Sequence, residues 1–324
     1  METAEGKAKM VRPAAPRLTG DALSWAALLL LVVIWGSTFA GIGIGVETIS
    51  PAWLVTGRLL SGAAFLGVWI VLTGVVNQTP RGDATPKVGL AAIGWFALIG
   101  IAATAAPFVL YAHAAESIGS AVMAICNGGT PFATVLLAHF LVGDRLSARR
   151  MTGVLMGFLG LVVLVLPEFG PEFGKEQSSS LIGILLAIVG AWLYAVGNIG
   201  TRLAPRVSPI LSSFWIVAIA GLAALGYAII AEPFPQTASA TSIVAMIVLG
   251  LLPTAFAMFV YVWLIQRAGP VFVSFTTYMS PLWATGLGVI FLGEELQWSM
   301  IGALALILAG VAVANRRPRS ARAN

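Results

Sequence analysis

SIGSAVMAICNGGTPFATVLLAHFLVGDRLSARRMTGVLMGFLGLVVLVL, residues 117–166, is answered later in the chain by RAGPVFVSFTTYMSPLWATGLGVIFLGEELQWSMIGALALILAGVAVAN, residues 267–315. An offset of 150 pairs Gly119 with Gly269, Pro131 with Pro281, Gly143 with Gly293, Asp144 with Glu294, Leu146 with Leu296 and Gly160 with Gly310. Each copy is an apolar run with a proline near its middle, a Gly-acid pair at its end, and then a shorter apolar run containing glycine. This order of features identifies an internal repeat, and the rest of the chain shows how long it is.

Working outward, the hydrophobicity falls into ten blocks: Ser24–Val46, Ala52–Thr73, Val88–Tyr111, Ile118–Val142, Met151–Leu166, Leu181–Gly200, Ile210–Ala231, Ser242–Ile265, Val271–Leu292 and Met300–Ala314. Most exceed the ~18 apolar residues that mark a membrane span. The chain is 59% hydrophobic and 10% charged, with a mean hydropathy of +0.95. Hydrocarbon offers no water to unpaired backbone groups, so each block must satisfy its own and is helical. The expected fold is therefore an all-α membrane protein of ten transmembrane helices, five in each half.

The net charge of +5 could suggest nucleic acid, but topology explains it better. With the N-terminus in the cytoplasm and ten crossings, all 18 Lys and Arg residues except Lys175 and Arg58 fall in cytoplasmic segments or at their edges. A different parity of spans would scramble this asymmetry, so the positive-inside rule sets both count and orientation. The basic N-terminal stretch leads into a long apolar block without an A-x-A cleavage pattern and reads as a first span, not a cleaved signal. The expected organisation is a basic cytoplasmic tail (1–20), a first repeat (21–167), an outside linker (168–180), a second repeat (181–315) and a basic cytoplasmic tail (316–324). Because five is odd, the second repeat enters the membrane upside down. Inverted repeats are the sequence signature of alternating-access transporters.

Several residues carry a further likeness. Trp35-Gly36-Ser37-Thr38-Phe39 in the first span, Arg58 in the second, and the twice-used pattern Pro131/Gly143-Asp144 and Pro281/Gly293-Glu294 resemble the drug/metabolite transporter superfamily, and within it the EamA-type ten-helix exporters. The resemblance covers residues 22–315. The family usually has Glu at both acidic positions, whereas this chain has Asp144 at the first. The resemblance implies export of amino acids, aromatic ones included, or of other metabolites or toxic compounds, from a bacterial cytoplasmic membrane.

Candidate site residues are polar or aromatic groups placed at mid-span, where facing lipid would be costly. Helix 1 offers Trp35, Ser37 and Thr38; helix 4 offers Asn127 and Thr130; helix 6 offers Trp192, Tyr194 and Asn198; helix 9 offers Thr277, Tyr278 and Ser280. Hydroxyls and amides orient a small ligand while aromatics supply apolar contact. The same groups can also bond across helix interfaces. Arg58 is the one full charge well inside a span, roughly 10 Å deep at 1.5 Å per residue. It is either a contact for a substrate carboxylate or an architectural arginine. Pro131 and Pro281 each remove a mid-helix hydrogen bond, and Gly128-Gly129 loosens helix 4 further, so these four positions are the expected hinges or helix breaks.

Other chemistries lack their residues. None of the 13 Asp and Glu lies within a span, which disfavours a carboxylate proton relay. Cys126 is the only cysteine, and His113 and His139 fall at opposite helix ends, so no metal or other cofactor is expected. Gly41-Ile42-Gly43-Ile44-Gly45 lacks the spacing and context of a phosphate loop. No acid, base and nucleophile cluster as in an enzyme. The expected partners are a small-molecule substrate and membrane lipids, with no nucleic acid. A channel-like facilitator, or a carrier of drugs or lipid or sugar conjugates, remains an alternative to the amino-acid exporter. The orientation is directly testable. In a Cys126-free background, a cysteine placed at Lys175 should react with an impermeant reagent from outside, and one at Arg149 should not; the reverse pattern overturns the topology.

Overall fold

The computed structural model describes residues 21–74, 89–142, 148–166, 175–205, 209–268 and 275–315. Both tails, residues 75–88, residues 143–147 with Gly143 and Asp144, residues 167–174 at the start of the linker, residues 206–208 and residues 269–274 lie outside them. Every regular element among the described residues is helical: α1 (Ala22–Gly36), α2 (Thr38–Val46), α3 (Pro51–Thr73), α4 (Leu90–Gly100), α5 (Ala106–Ala114), α6 (Ser120–Asn127), α7 (Thr130–Val142), α8 (Ala148–Val165), α9 (Lys175–Leu203), α10 (Pro209–Ala231), α11 (Ala240–Leu249), α12 (Ala257–Ala268), α13 (Phe275–Phe291) and α14 (Trp298–Asn315). A π-helical turn, Ile101–Ala105, joins α4 to α5, and another, Gly250–Phe256, joins α11 to α12. Part of the expected linker, residues 175–180, is already helical.

The elements fall on the ten apolar blocks. Seven stretches are long and apolar enough to cross a bilayer: Ala22–Val46, Pro51–Thr73, Leu90–Ala114, Ser120–Leu141, Ser180–Gly200, Ile210–Ala231 and Ala240–Tyr261. The shorter apolar helices Met151–Leu164, Met279–Phe291 and Trp298–Gly310 occupy the other three.

Helix contacts obey a two-fold exchange of the halves. α3 packs on α10, α6 on α13, and α8 on α14, each against its repeat mate. Other contacts come in exchanged pairs: α2 on α11 matches α4 on α9, α1 on α12 matches α5 on α9, and α1 on α13 matches α6 and α7 on α9. Close backbone approaches follow the same rule. A Cβ on Gly160 would lie 2.9 Å from the Ala303 carbonyl oxygen, and one on Gly310 would lie 2.6 Å from that of Gly153. A Cβ on Gly100 would meet the Ile216 carbonyl oxygen at 2.7 Å, and one on Gly250 that of Arg58 at 2.5 Å. Only glycine lets these helices touch so closely, the usual means of holding helices together in lipid.

Contacts at the helix ends show that the repeats run in opposite directions. α3 begins where α10 ends: the Ala52 N–H donates to Glu232 Oε2 at 3.0 Å, and the Trp53 indole donates to the Glu232 carbonyl at 3.3 Å. α6 begins where α13 ends. Gly293, with φ +67°, turns the chain there, and the Glu294 N–H closes back on the Gly288 carbonyl at 3.0 Å. The Glu294 carboxylate then accepts from Ser120 N and Oγ, both at 2.7 Å, and from Ala121 N at 3.0 Å. Neither Ser50 nor Gly119, the residues preceding α3 and α6, caps its own helix with a side chain. Both helix N-termini are thus capped by a carboxylate from the other half, which satisfies free N–H groups and complements the helix dipole. His113, at the end of α5, joins this face, with Nε2 3.6 Å from Glu232 and Nδ1 3.2 Å from Glu116.

At the opposite end of the molecule, Asp21 caps α1 through the Ser24 N–H at 3.1 Å and pairs with Arg267 of α12. The Arg267 guanidinium and the Ser24 hydrogen bonds hold the Asp21 carboxyl well below the usual carboxylate range. A depressed acid favours the folded state above its unfolded pKa and loses that contribution as the pH falls through the folded value. Both side chains are exposed, so solvent screens this pair.

The Glu294 cap can be weighed by mutation. Glu294→Ala should lower stability by roughly 1–2 kcal/mol, the range for losing a helix N-cap, read as a lower Tm in detergent. An unchanged Tm would show that this carboxylate does not hold α6.

Candidate substrate site

Arg58 lies on α3 and is 5% exposed. Its Nε donates to Thr254 Oγ1 at 3.0 Å, and its Cζ sits 3.9 Å from the centre of the Phe108 ring. Thr254 is on the π turn of the second half, and its hydroxyl donates to the Leu249 carbonyl at 2.8 Å. Phe108 is on α5 of the first half. Arg58 is therefore held at its Nε by one half and across its face by the other. Among the described residues its partners are a hydroxyl and an aromatic ring, and none is a carboxylate.

From Phe108 the aromatic contacts continue inward. Tyr194 meets Phe108 edge-on at 6.2 Å and stacks on Tyr111 at 5.8 Å with 19° between the planes. Tyr111 in turn touches Phe39 at 5.2 Å. The Tyr111 hydroxyl and the Thr130 hydroxyl both donate to Asn127 Oδ1, each at 3.3 Å. Asn127 ends α6, and Gly128-Gly129 separate it from α7, so helix 4 is broken beside this cluster. Asn127, Thr130 and Tyr194 stay half-buried although α5, α6 and α9 surround them. A positive group, stacked rings and an amide thus share one mid-span region built by α3, α5, α6, α7 and α9.

A second group adjoins the same π turn. The Trp35 indole donates to the Pro253 carbonyl at 3.3 Å and its ring contacts Tyr261 at 5.5 Å. The Trp283 indole donates to Ser37 Oγ at 2.9 Å. Gly36 admits this contact, since a Cβ there would lie 2.7 Å from Trp283 and 2.9 Å from the Ser280 carbonyl oxygen. Trp35, Gly36 and Ser37 thus tie helix 1 to helices 8 and 9 where α1 gives way to α2.

The candidates from the sequence divide accordingly. Arg58, Asn127, Thr130 and Tyr194 converge. Asn198 stands at the edge, donating to Thr134 Oγ1 at 3.2 Å. Trp35, Ser37 and the Ser280 backbone belong to the second group, and the Thr38 hydroxyl donates back along helix 1 to the Ile34 carbonyl at 3.2 Å. The side chains of Thr277 and Tyr278 lie outside the described residues. Trp192 departs from expectation: it is 39% exposed and lines an apolar groove of about 430 Å³ with Phe132, Phe158 and Ile188. Two residues along a helix is a rotation of about 200°, so Tyr194 and Trp192 cannot share a face. At Pro281 α13 continues as one helix, so no break falls there, although the proline still leaves out one helix N–H. Pro131 falls in the first turn of α7, where its missing N–H costs no helix bond, and the break itself is at Gly128-Gly129. Thr254, Phe108, Tyr111, Phe39 and Trp283 were not foreseen. The one sequence signal for Thr254 is its place beside Pro253 and opposite Thr104 in the repeat.

The sequence model of the EamA-like transporter family matches residues 23–166 and again residues 181–316. The chain belongs to this family. Similar proteins include an uncharacterized inner membrane transporter, YedA, of Escherichia coli, 24% identical over 282 residues that cover 86% of this chain and 87% of that protein. A probable amino-acid metabolite efflux pump of Salmonella typhimurium is 24% identical over 302 residues, covering 87% of this chain and 91% of its own. A solved crystal structure with 24% identity superposes with a TM-score of 0.59, over 91% of this chain and 98% of that one, and shares the fold. This family member is an integral membrane transporter. Among its described residues no three of His, Cys, Asp and Glu gather as a metal site requires.

The site makes a sharper distinction than residue type does. In proteoliposomes, Tyr194→Ala should reduce transport of whichever compound the protein carries at least tenfold, since truncating a central aromatic costs about 2 kcal/mol. Trp192→Ala, on the outer groove, should leave transport within about twofold, as expected for a surface change. Equal losses at normal expression would remove the site from the Arg58–Tyr194 cluster.

Proposed function

We propose that this transporter exports amino acids, aromatic ones included, or similar small carboxylate-bearing metabolites by alternating access, with the substrate carboxylate bound at Arg58. The observation that carries the reading is Arg58 itself. A buried cation costs several kcal/mol unless it is paired, and the described partners of Arg58 are the neutral Thr254 and Phe108. A substrate carboxylate would supply the missing charge in bidentate geometry. The stacked Tyr111 and Tyr194 would lie against an apolar or aromatic side chain, and the Asn127 amide could meet a polar group of the same ligand. The name of the Salmonella relative, a probable amino-acid metabolite efflux pump, is in keeping with this.

The mechanism we propose is a rocking of the two halves between an inward-facing and an outward-facing state. The carboxylate caps at Ser120 and Ala52 join opposite halves and would have to open as one face is released. No ionisable carboxylate sits within the spans to carry protons, so the reading is facilitated transport without a carboxylate relay. The membrane is the bacterial cytoplasmic one, with both termini on the cytoplasmic side.

The deciding experiment is a panel of amino acids and related metabolites with purified protein in liposomes, with and without a pH gradient. Transport of the selected compound should be downhill, should persist when the gradient is collapsed, and should show exchange between labelled and unlabelled substrate. Accumulation strictly dependent on a proton gradient overturns the uncoupled mechanism, and absence of exchange favours a channel. Arg58→Ala should abolish any preference for a carboxylate over its amide; retained preference would dismiss Arg58 as the contact.

A further inference from the structure

We infer that Thr254 is a positioning residue that sets how Arg58 meets the substrate carboxylate, an inference that rests on the reading of Arg58 just given. Three observations support it. The Thr254 hydroxyl has one proton, and it points at the Leu249 carbonyl, 2.8 Å away, so its oxygen presents lone pairs to Arg58 Nε at 3.0 Å. Arg58 is thereby fixed along one edge while Phe108 fixes its face at 3.9 Å, which leaves the Nη edge for a two-pronged carboxylate. Second, the backbones of α3 and the π turn touch directly, because Gly250 has no Cβ to collide with the Arg58 carbonyl, and Gly62 receives the Thr254 methyl, with 3.2 Å left for a Cβ. The arginine and the threonine therefore keep a fixed spacing.

The third observation is a control built into the repeat. Thr104 occupies the same place in the first π turn and makes the same bond, its hydroxyl donating to the Ile99 carbonyl at 3.3 Å. The helix facing that turn presents Ile216 where α3 presents Arg58, as the equivalent contacts of Gly100 and Gly250 show. Both threonines close a π turn, which leaves a backbone carbonyl needing a donor. Only Thr254 also holds an arginine. Removing each hydroxyl in turn separates the two roles.

The test uses the full chain in proteoliposomes and the acid–amide pair chosen by the panel, with L-phenylalanine and L-phenylalaninamide as the first pair. Thr254→Val should raise the KM for the acid roughly tenfold, the size expected for a weakened charge-assisted hydrogen bond, and should leave the KM for the amide within about twofold. Thr254→Ala should do the same, which guards against a valine that fails to fold. Thr254→Ser should restore the preference, and Thr104→Val should leave it intact. If Thr254→Val and Thr104→Val shift acid and amide alike, Thr254 only closes its π turn and the inference is overturned. If Arg58→Ala abolishes the acid preference but Thr254→Val and Thr254→Ala retain it, the positioning role alone fails. If Arg58→Ala leaves the preference unchanged, or no acid is preferred over its amide, the reading of Arg58 fails and this inference with it.

Discussion

Lipid gives two apolar helices no hydrophobic reason to meet, because its tails are as apolar as leucine. The architecture therefore depends on where helix backbones can come into contact. In this chain those places are glycines facing backbone carbonyls, and they occur in repeat-related pairs: Gly160 and Gly310 between the last helices of each half, Gly100 and Gly250 beside the two π turns. Each pair fixes a helix crossing on both sides of the two-fold exchange. The positions of the site side chains follow from these crossings. Gly250 brings its π turn onto α3, which places Thr254 at Arg58 and Pro253 at Trp35.

The same solvent explains where polar groups are found. Departures from regular α-helix at mid-span are accompanied by a local donor. The π turns have Thr104 and Thr254, and the Pro253 carbonyl has the Trp35 indole. Helix 4 breaks at Gly128-Gly129, where the Gly129 N–H turns back to the Cys126 carbonyl at 3.0 Å, and its neighbour Asn127 accepts from Tyr111 and Thr130. Irregular backbone at this depth is tolerated where protein buries it or a cavity borders it. These irregularities surround the Arg58 cluster, so the fold's deviations and its candidate chemistry occupy the same region.

The repeat, the ten apolar blocks and the isolated charge at Arg58 could be read from residue types alone, because each is a property of composition along the chain. Which way a side chain points within a span could not. Trp192 and Tyr194 are equally aromatic and two positions apart, and helix rotation alone separates an outer groove from the site. The π turns add a further difficulty, since each inserts a residue and shifts every later side chain by about 100° relative to a regular helix. Phe108 and Tyr111 lie just beyond the first such turn, and a regular period would assign them the wrong face. The paired prolines mislead for a related reason. They are equivalent in sequence, but Pro131 starts a helix after a Gly-Gly break whereas Pro281 sits inside an unbroken one.

Symmetric halves can exchange conformations, but a symmetric site would have to present two cations or none. This chain resolves the conflict by keeping the backbone two-fold and the chemistry one-sided. Both halves have a π turn, a threonine to close it and a glycine against the facing helix, while Arg58 is matched by Ile216. The single cation is placed where it touches both halves, at Thr254 of the second and Phe108 of the first. In the rocking proposed above, a side chain held between the two halves would experience their relative displacement directly, whereas one embedded in either half would not. Under that proposal a ligand that neutralises Arg58 would act at the joint between the halves, so its binding free energy could differ between the two states. That difference is what a conformational equilibrium requires if a ligand is to shift it.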